Sequence, residues 1–186
     1  MKCILSILAF VCLSACTNVC RVQGYIEGIE KDLRVVILRN VQGFQYDTVA
    51  MANLHNGHFE FDLPEKYYGE AYELQFGDFP GRALFFAEKG VVRVEGHKDS
   101  LFYSRVSGTR ANDEWRMYKK VEQEIIQQRE EEMFDPAMRA LGEEQKVVEQ
   151  RKVLKRFEEK MLRYQEELIG DGNSLAALYV FWKRYL

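Results

Sequence analysis

The composition of the chain and the spacing of its apolar residues change at Ser107-Gly108, and this change limits the folds that the chain can adopt. Before this point, short apolar segments alternate with polar residues between glycine-containing turns, a pattern typical of β-strands. From Asn112 onward the chain is rich in Glu, Lys, Arg and Gln, and Pro136 is its one proline, as is typical of helices. Strands followed by helices predict an α+β fold.

The clearest strand signal is Asn56-Gly57, because both positions of a two-residue type I′ turn must tolerate positive φ. It predicts a β-hairpin in which residues 48–54 pair with residues 58–63. We expect further strands over residues 22–28, 33–38, 71–76, 82–88 and 91–95, the last two joined by Lys89-Gly90. Residues 22–108 are therefore predicted to form an antiparallel, β-sandwich-like domain with its aromatic side chains in the core.

Residues 109–186 are predicted to form a helical hairpin and a terminal apolar helix. Asn112 is the predicted N-cap of the first helix. Asp135-Pro136 predicts the start of a second helix, which runs to Ile169 with a flaw at Gly142. The residues expected to pack between these helices are Trp115, Tyr118, Val121 and Ile125 on the first, and Leu154, Phe157, Met161, Tyr164 and Leu168 on the second.

The terminal helix is predicted to begin at the cap pair Asn173-Ser174 and to continue over residues 175–186. Its side chains are apolar nearly all round, which is typical of a buried helix. We expect it either to dock on the β domain or to lead into a domain that the sequence does not contain.

The first fifteen residues have the order of a secretory signal peptide. Lys2 precedes an apolar run over residues 3–13, and the small residues Ser14 and Ala15 come before Cys16. A membrane-spanning helix needs about 20 apolar residues, roughly twice the length of this run. We therefore expect this segment to be cleaved rather than kept as a peptide anchor.

The quartet Leu13, Ser14, Ala15 and Cys16 resembles the bacterial lipobox. That resemblance implies cleavage of residues 1–15 and a diacylglyceryl group on Cys16, followed by a short tether over residues 16–21. Two or three acyl chains hold a protein stably at a membrane, because each buried methylene contributes about 0.8 kcal/mol. Membrane attachment through this lipid is therefore the first predicted interaction.

Removal of Cys3 and Cys12 with the signal and acylation of Cys16 would leave Cys20 as the one free thiol. A single thiol cannot form an intramolecular disulfide, so we expect no disulfide framework. The chain also lacks a CxxC pair, and a lone cysteine at the start of an apolar strand is more often a small core residue. Cys20 is therefore predicted to be structural, and a reaction with a partner thiol is the alternative.

The sequence contains no recognisable catalytic constellation, and we predict no enzymatic activity, cofactor or metal. His55 and His58 flank the Asn-Gly turn and supply two metal ligands at most, which is too few for a site. Glu130-Glu131-Glu132 point about 100° apart on a helix and are expected to face solvent. A net charge of −3 gives no electrostatic reason to expect nucleic acid.

Residues 20–112 resemble the family known as domain of unknown function 4369, found in exported lipoproteins of Bacteroidetes. The motifs that carry the resemblance are Val22-Gln23-Gly24 with Gly28, Asp47, Asn56-Gly57-His58-Phe59-Glu60-Phe61, Phe85 to Glu88, Gly90-Val91-Val92-Arg93-Val94, and Ser107-Gly108 with Asn112. In many relatives a helical linker and a thioredoxin-like domain follow. This chain lacks their WCxxC motif, so the resemblance implies no redox activity here.

Three functions are compatible with these features. The first is a non-catalytic envelope lipoprotein that binds a protein partner or positions it near the membrane. The second is the N-terminal part of a thioredoxin-like thiol-disulfide oxidoreductase that is shortened after its linker. The third is a sandwich that binds a small sugar or lipid on exposed aromatic residues. Thr17 is not the aspartate that is associated with inner-membrane retention, and residues 17–22 lack the acidic run that resembles a surface-export signal. We therefore expect the protein at the periplasmic face of the outer membrane.

Overall fold

The computed structural model describes residues 19–42 and 45–185. Strands come first and helices follow, so the α+β prediction is confirmed. The strands are β1 Val19–Glu27, β2 Leu33–Gln42, β3 Gln45–His55, β4 His58–Pro64, β5 Ala71–Phe76, β6 Ala83–Phe86, β7 Gly90–His97 and β8 Arg105–Ser107. The helices are α1 Arg110–Met133, α2 Pro136–Arg139, α3 Glu143–Gly170 and α4 Leu175–Tyr185.

All eight strands belong to one mixed sheet with the order β6-β5-β2-β3-β4-β1-β7-β8. β1 pairs antiparallel with β4 on one side and parallel with β7 on the other. The expectation of a fully antiparallel domain is therefore wrong at this pair. β6 and β7 follow each other in sequence but do not pair, because residues 87–89 carry the chain from β6, at one edge of the sheet, to the side of β1.

The β3–β4 turn is confirmed in the predicted register, but the two strands pair only beside it. Residues 48–53 pair with β2, and the rest of β4 pairs with β1. Leu54 pairs with Phe59, and His55 pairs with His58. Asn56 and Gly57 have φ values of 48° and 81°, as a type I′ turn requires. The turn therefore fixes which face of each strand points into the core.

One apolar core fills the inside of the sheet, and it contains the alternate residues of the strands. Val22 and Ile26 of β1 and Val92 and Val94 of β7 are buried in it. Phe59, Tyr72, Phe76 and Phe85 form ring contacts within it. The strand aromatics thus pack in the core as predicted, and Cys20 is buried there as well.

The helices α1 and α3 run in opposite directions against each other. Arg156 of α3 lies against Glu132 at the end of α1, whereas Gln165 donates to the Tyr118 hydroxyl oxygen near its start. Asp135 caps α2 by accepting from the Ala137 amide at 2.7 Å, as predicted. The chain breaks after α2, so Gly142 is the N-cap of a separate helix and not a flaw within one.

Two helical predictions are wrong in detail. Thr109, not Asn112, is the N-cap residue of α1, and the Asn112 side chain instead binds the main chain of Phe86. On α3, Leu154 is 45% exposed, and Val153 takes its place beside Phe157 in the buried contact with Ile125. Spacings of three and four residues allow an apolar stripe through Leu154 or one through Val153, and packing against α1 selects the stripe that contains Val153.

The terminal helix α4 packs with one face against α1, α3 and the Phe86 ring of β6. Ala176, Ala177 and Val180 are buried, while Leu178 and Tyr185 are exposed. Ser174 caps the helix by accepting from the Ala177 amide at 3.2 Å, as predicted. Among the described residues, no helix is both long and apolar enough to span a bilayer.

Candidate binding cleft

A cleft of about 930 Å³ lies between one edge of the sheet and the helices. β5 and β6 form one wall, and the segment from Phe102 to Val106 forms another. α1, α3 and α4 close the remaining sides through residues such as Trp115, Gln165 and Val180. This volume is in the range of small-molecule and peptide-binding pockets.

An aromatic cluster fixes the helices against the sheet beside the cleft. The Phe86 ring of β6 lies 6.0 Å from the Trp115 ring of α1 and 5.8 Å from the Tyr179 ring of α4. Tyr118 stacks between Trp115, at 5.2 Å, and Tyr164 of α3, at 5.7 Å. Edge-to-face and stacked ring pairs have defined geometry, so this cluster sets the positions of the three helices.

Positive charge predominates in the lining of the cleft. Seven lysine and arginine residues line it, against two glutamates, Glu73 and Glu122. Glu73 pairs with Arg82 at 3.0 Å, and Glu122 pairs with Lys119. Among the described residues neither Arg105 nor Lys183 has a carboxylate within ion-pair distance. Three further lining cations pair with carboxylates outside the lining: Arg116 with Asp113, Lys120 with Glu124, and Arg184 with Glu166. Within the described residues, Arg105 and Lys183 are therefore the lining cations without a carboxylate partner.

Apolar rings lie next to these cations. The Phe102 and Tyr103 side chains are exposed, although they are aromatic. The Lys119 ammonium lies 4.5 Å from the centre of the Phe102 ring, and that of Lys183 lies 5.7 Å from the Tyr179 ring. The surface thus offers a cation and an apolar contact side by side, which suits a ligand that has both a carboxylate and an apolar group.

Burial controls the ionisation of the tyrosines in the cleft. It raises the pKa of Tyr118 to about 12 and also raises the pKa of Tyr179. Both phenols therefore stay neutral at physiological pH and act as hydrogen-bonding groups. The charge of the cleft then depends on its lysines, arginines and two glutamates.

The lipobox residues Leu13, Ser14, Ala15 and Cys16, together with the proposed signal peptide, lie outside the described residues. Cys20 is described, and burial raises its thiol pKa to about 11. A thiol with this pKa is almost entirely protonated near neutral pH and is a poor nucleophile. This agrees with the prediction of a structural role for Cys20.

The two histidines at the hairpin face each other across β3 and β4, as predicted. The Asp32 carboxylate lies beside this pair, with its Oδ2 atom 2.9 Å from His55 Nδ1. The His58 ring instead packs against Tyr25, with 4.7 Å between ring centres. Within residues 19–42 and 45–185, no cluster of three or more His, Cys, Asp or Glu residues could hold a metal ion.

A family model described as "Domain of unknown function (DUF4369)" matches residues 20–115, just over half of the chain. The chain belongs to this family. The DUF4369 region spans the sheet and the first residues of α1, including Asn112 and Trp115. No curated protein and no solved structure matches the chain.

Sequence reasoning did not identify the cleft as a site. It selected Trp115 and Tyr118 only as packing residues, and both do pack against neighbouring rings. The cations come from the residue before β6 and from β8, α1 and α4, which are far apart in the sequence. The local signals were the pairs Lys119-Lys120 and Lys183-Arg184, and a pair of basic residues on a helix is usually solvated.

Proposed function

We propose that this protein is a non-catalytic, lipid-anchored binding module of the cell envelope, which holds an acidic segment of a partner protein in the cleft. The observation that carries the proposal is the presence of Arg105 and Lys183, which have no carboxylate partner among the described residues, in a cleft that also exposes Phe102 and Tyr103. A segment with carboxylates and an apolar side chain would complement both features.

The distribution of the cations favours a peptide over a compact anion. Arg105 lies on β8 and Lys183 on α4, so the two cations without a carboxylate partner belong to different elements around the cleft. A phosphate group is usually held by donors that converge on one point. Charges spread around a cleft match several carboxylates along a chain.

The proposed anchor would keep the cleft close to the membrane. β1 begins at Val19, three residues after Cys16. Three residues span at most about 11 Å when fully extended. A partner bound in the cleft would therefore be held near the membrane, which is the positioning role expected from the sequence.

A binding experiment on the detergent-solubilised protein tests the proposal. The probe is a fluorescent peptide of alternating Glu and Phe, and the matched peptide has Lys in place of Glu. We expect the acidic peptide alone to bind, and Arg105→Glu with Lys183→Glu to weaken binding at least tenfold. Lys31→Glu makes the same change on the exposed β1–β2 loop and should leave binding unchanged. Equal binding of both peptides would refute the proposal.

The anchor needs a separate test. Intact-mass analysis of the membrane fraction should find an acylated Cys16 as the first residue. Cys16→Ala should move the protein out of the membrane fraction, because lipid would no longer be added. An unmodified Met1 in the membrane fraction would contradict the proposed anchor.

The exposed face of α4 favours a second candidate function. Leu178, Phe181, Trp182 and Tyr185 form an apolar surface that a further domain could cover. In this case residues 109–186 would be the linker of a longer thiol-disulfide oxidoreductase. Sequencing the DNA downstream of the Leu186 codon tests this, since a thioredoxin-like coding sequence in any frame would support it.

A further inference from the structure

The end of α1, the short helix α2 and the start of α3 form an acidic tip, defined here as residues 129–144. It contains six carboxylates and two arginines. Phe134 lies near its centre with 64% of its surface exposed. Glu130 and Glu131 are exposed beside it. The tip therefore combines negative charge with an exposed apolar ring.

The same two features occur with the opposite charge in the cleft. Arg105 and Lys183 are exposed cations of its lining, and Phe102 and Tyr103 are its exposed rings. The tip thus has the chemistry that the proposed function requires of the bound segment. Charge complementarity and a ring that can enter an aromatic site are the usual basis of such contacts.

The Phe134 ring cannot reach the cleft of its own chain, although Glu130 lines a smaller pocket beside Phe102 and Tyr103. α1 is one continuous helix, and it lines the cleft as far as Gln123. Phe134 is eleven residues further along, or roughly 16 Å at 1.5 Å per residue. Pairing of α1 with α3 holds the tip at this distance. A tip that fills the cleft must therefore come from another molecule.

We propose that the cleft of one molecule binds the acidic tip of a second copy, an inference that rests on the proposed function and names its partner. The contact is head-to-tail, because two different surfaces meet. Each molecule in such a pair keeps one free cleft or one free tip, so association continues into a ring or a row. Molecules confined to one membrane surface would meet at a high local concentration.

Sedimentation velocity of the solubilised full chain tests this inference. The detergent is in excess, so that micelles hold on average less than one molecule. We expect the mass of the particle to at least double as protein concentration rises, and to fall back in high salt, which screens the contact. A particle that stays monomeric at every concentration would overturn the inference.

Charge reversal identifies the two surfaces. The cleft variant carries Arg105→Glu and Lys183→Glu, and the tip variant carries Glu130→Lys and Glu131→Lys. All four residues are exposed, so both variants should keep the circular dichroism spectrum of the parent. Each variant alone should stay monomeric at concentrations where the parent associates, because its altered surface loses most of its net charge. The cleft variant keeps five basic residues against four acidic ones, and the tip variant has four of each.

A mixture of the two variants should associate into pairs, because the unaltered tip of the cleft variant meets the unaltered cleft of the tip variant. A chain that carries all four changes should stay monomeric. Lys31→Glu should associate like the parent, and Phe134→Ala should weaken association by about tenfold, since it removes the ring alone. Association that survives either charge reversal would overturn the inference. A parent protein that is monomeric but still binds the acidic peptide would overturn this inference and leave the proposed function standing. A parent protein that binds no acidic peptide would refute both.

Discussion

The Asn112 side chain pairs with the main chain of Phe86 as a neighbouring strand would. Its Oδ1 accepts from the Phe86 amide at 2.9 Å, and its Nδ2 donates to the Phe86 carbonyl oxygen at 2.8 Å. Nδ2 also donates to Thr109 Oγ1 at 2.7 Å. Asn112 is 0% exposed, and these bonds join the first turn of α1 to the edge strand β6. One wall of the cleft is thereby fixed to another.

Asn112→Ala should reduce the free energy of unfolding by about 3 kcal/mol, because an unsatisfied buried polar group costs about 1–3 kcal/mol and two are left at Phe86. Urea denaturation followed by circular dichroism measures this change. The exposed Asn173→Ala is the matched control and should cost less than about 0.5 kcal/mol. A loss below about 1 kcal/mol at Asn112 would show that these bonds do not hold α1 to β6.

Gly24→Ala should destabilise the sheet by roughly 3 kcal/mol through overpacking. A Cβ atom at Gly24 would overlap the Val94 carbonyl oxygen and lie 2.7 Å from Phe59 Cζ. Gly69→Ala is a control for the cost of backbone strain without a steric clash, since Gly69 has φ +85° but nothing lies within 4 Å of an added Cβ. That variant should lose only about 1 kcal/mol. Equal losses in urea denaturation would contradict the close packing of β1 on β7.

The free energy of unfolding should fall as pH rises from 10 to 12. Burial raises the pKa of folded Tyr118 to about 12, whereas an unfolded tyrosine titrates near about 10. The unfolded state therefore loses its proton first and is favoured as pH increases. Tyr118→Phe should make this decrease less steep by up to about 1.4 kcal/mol per pH unit. Urea titrations at several pH values test this, and an unchanged slope would contradict it.

Cys20 should resist alkylation in the folded protein. Burial raises its pKa to about 11, so only about one thiol in a thousand is ionised at pH 8. We expect iodoacetamide to label Cys20 slowly in buffer and rapidly in urea, as measured by mass spectrometry of the peptide that contains it. Rapid labelling of the folded protein would instead indicate a reactive, accessible thiol.

Local features of the sequence were sufficient to predict the elements that depend on one or two residues. Asn56-Gly57 determined the β3–β4 turn, because few other residues adopt positive φ at both positions. Asp135-Pro136 determined the start of α2 in the same way, through a side-chain cap and a fixed φ. The order of strands and helices followed from the change at Ser107-Gly108.

The tertiary structure alone decided what those elements contact. Alternation along β1 marks its buried face but not its neighbours, so the parallel pairing with β7 could not be predicted. Asn112 reads as a helix cap in sequence, yet the unpaired edge at Phe86 determines its role. The cleft arises only when Arg105, Arg116 and Lys183 come together from separate elements. Its charge is a property of that arrangement, because no short segment of the chain contains it.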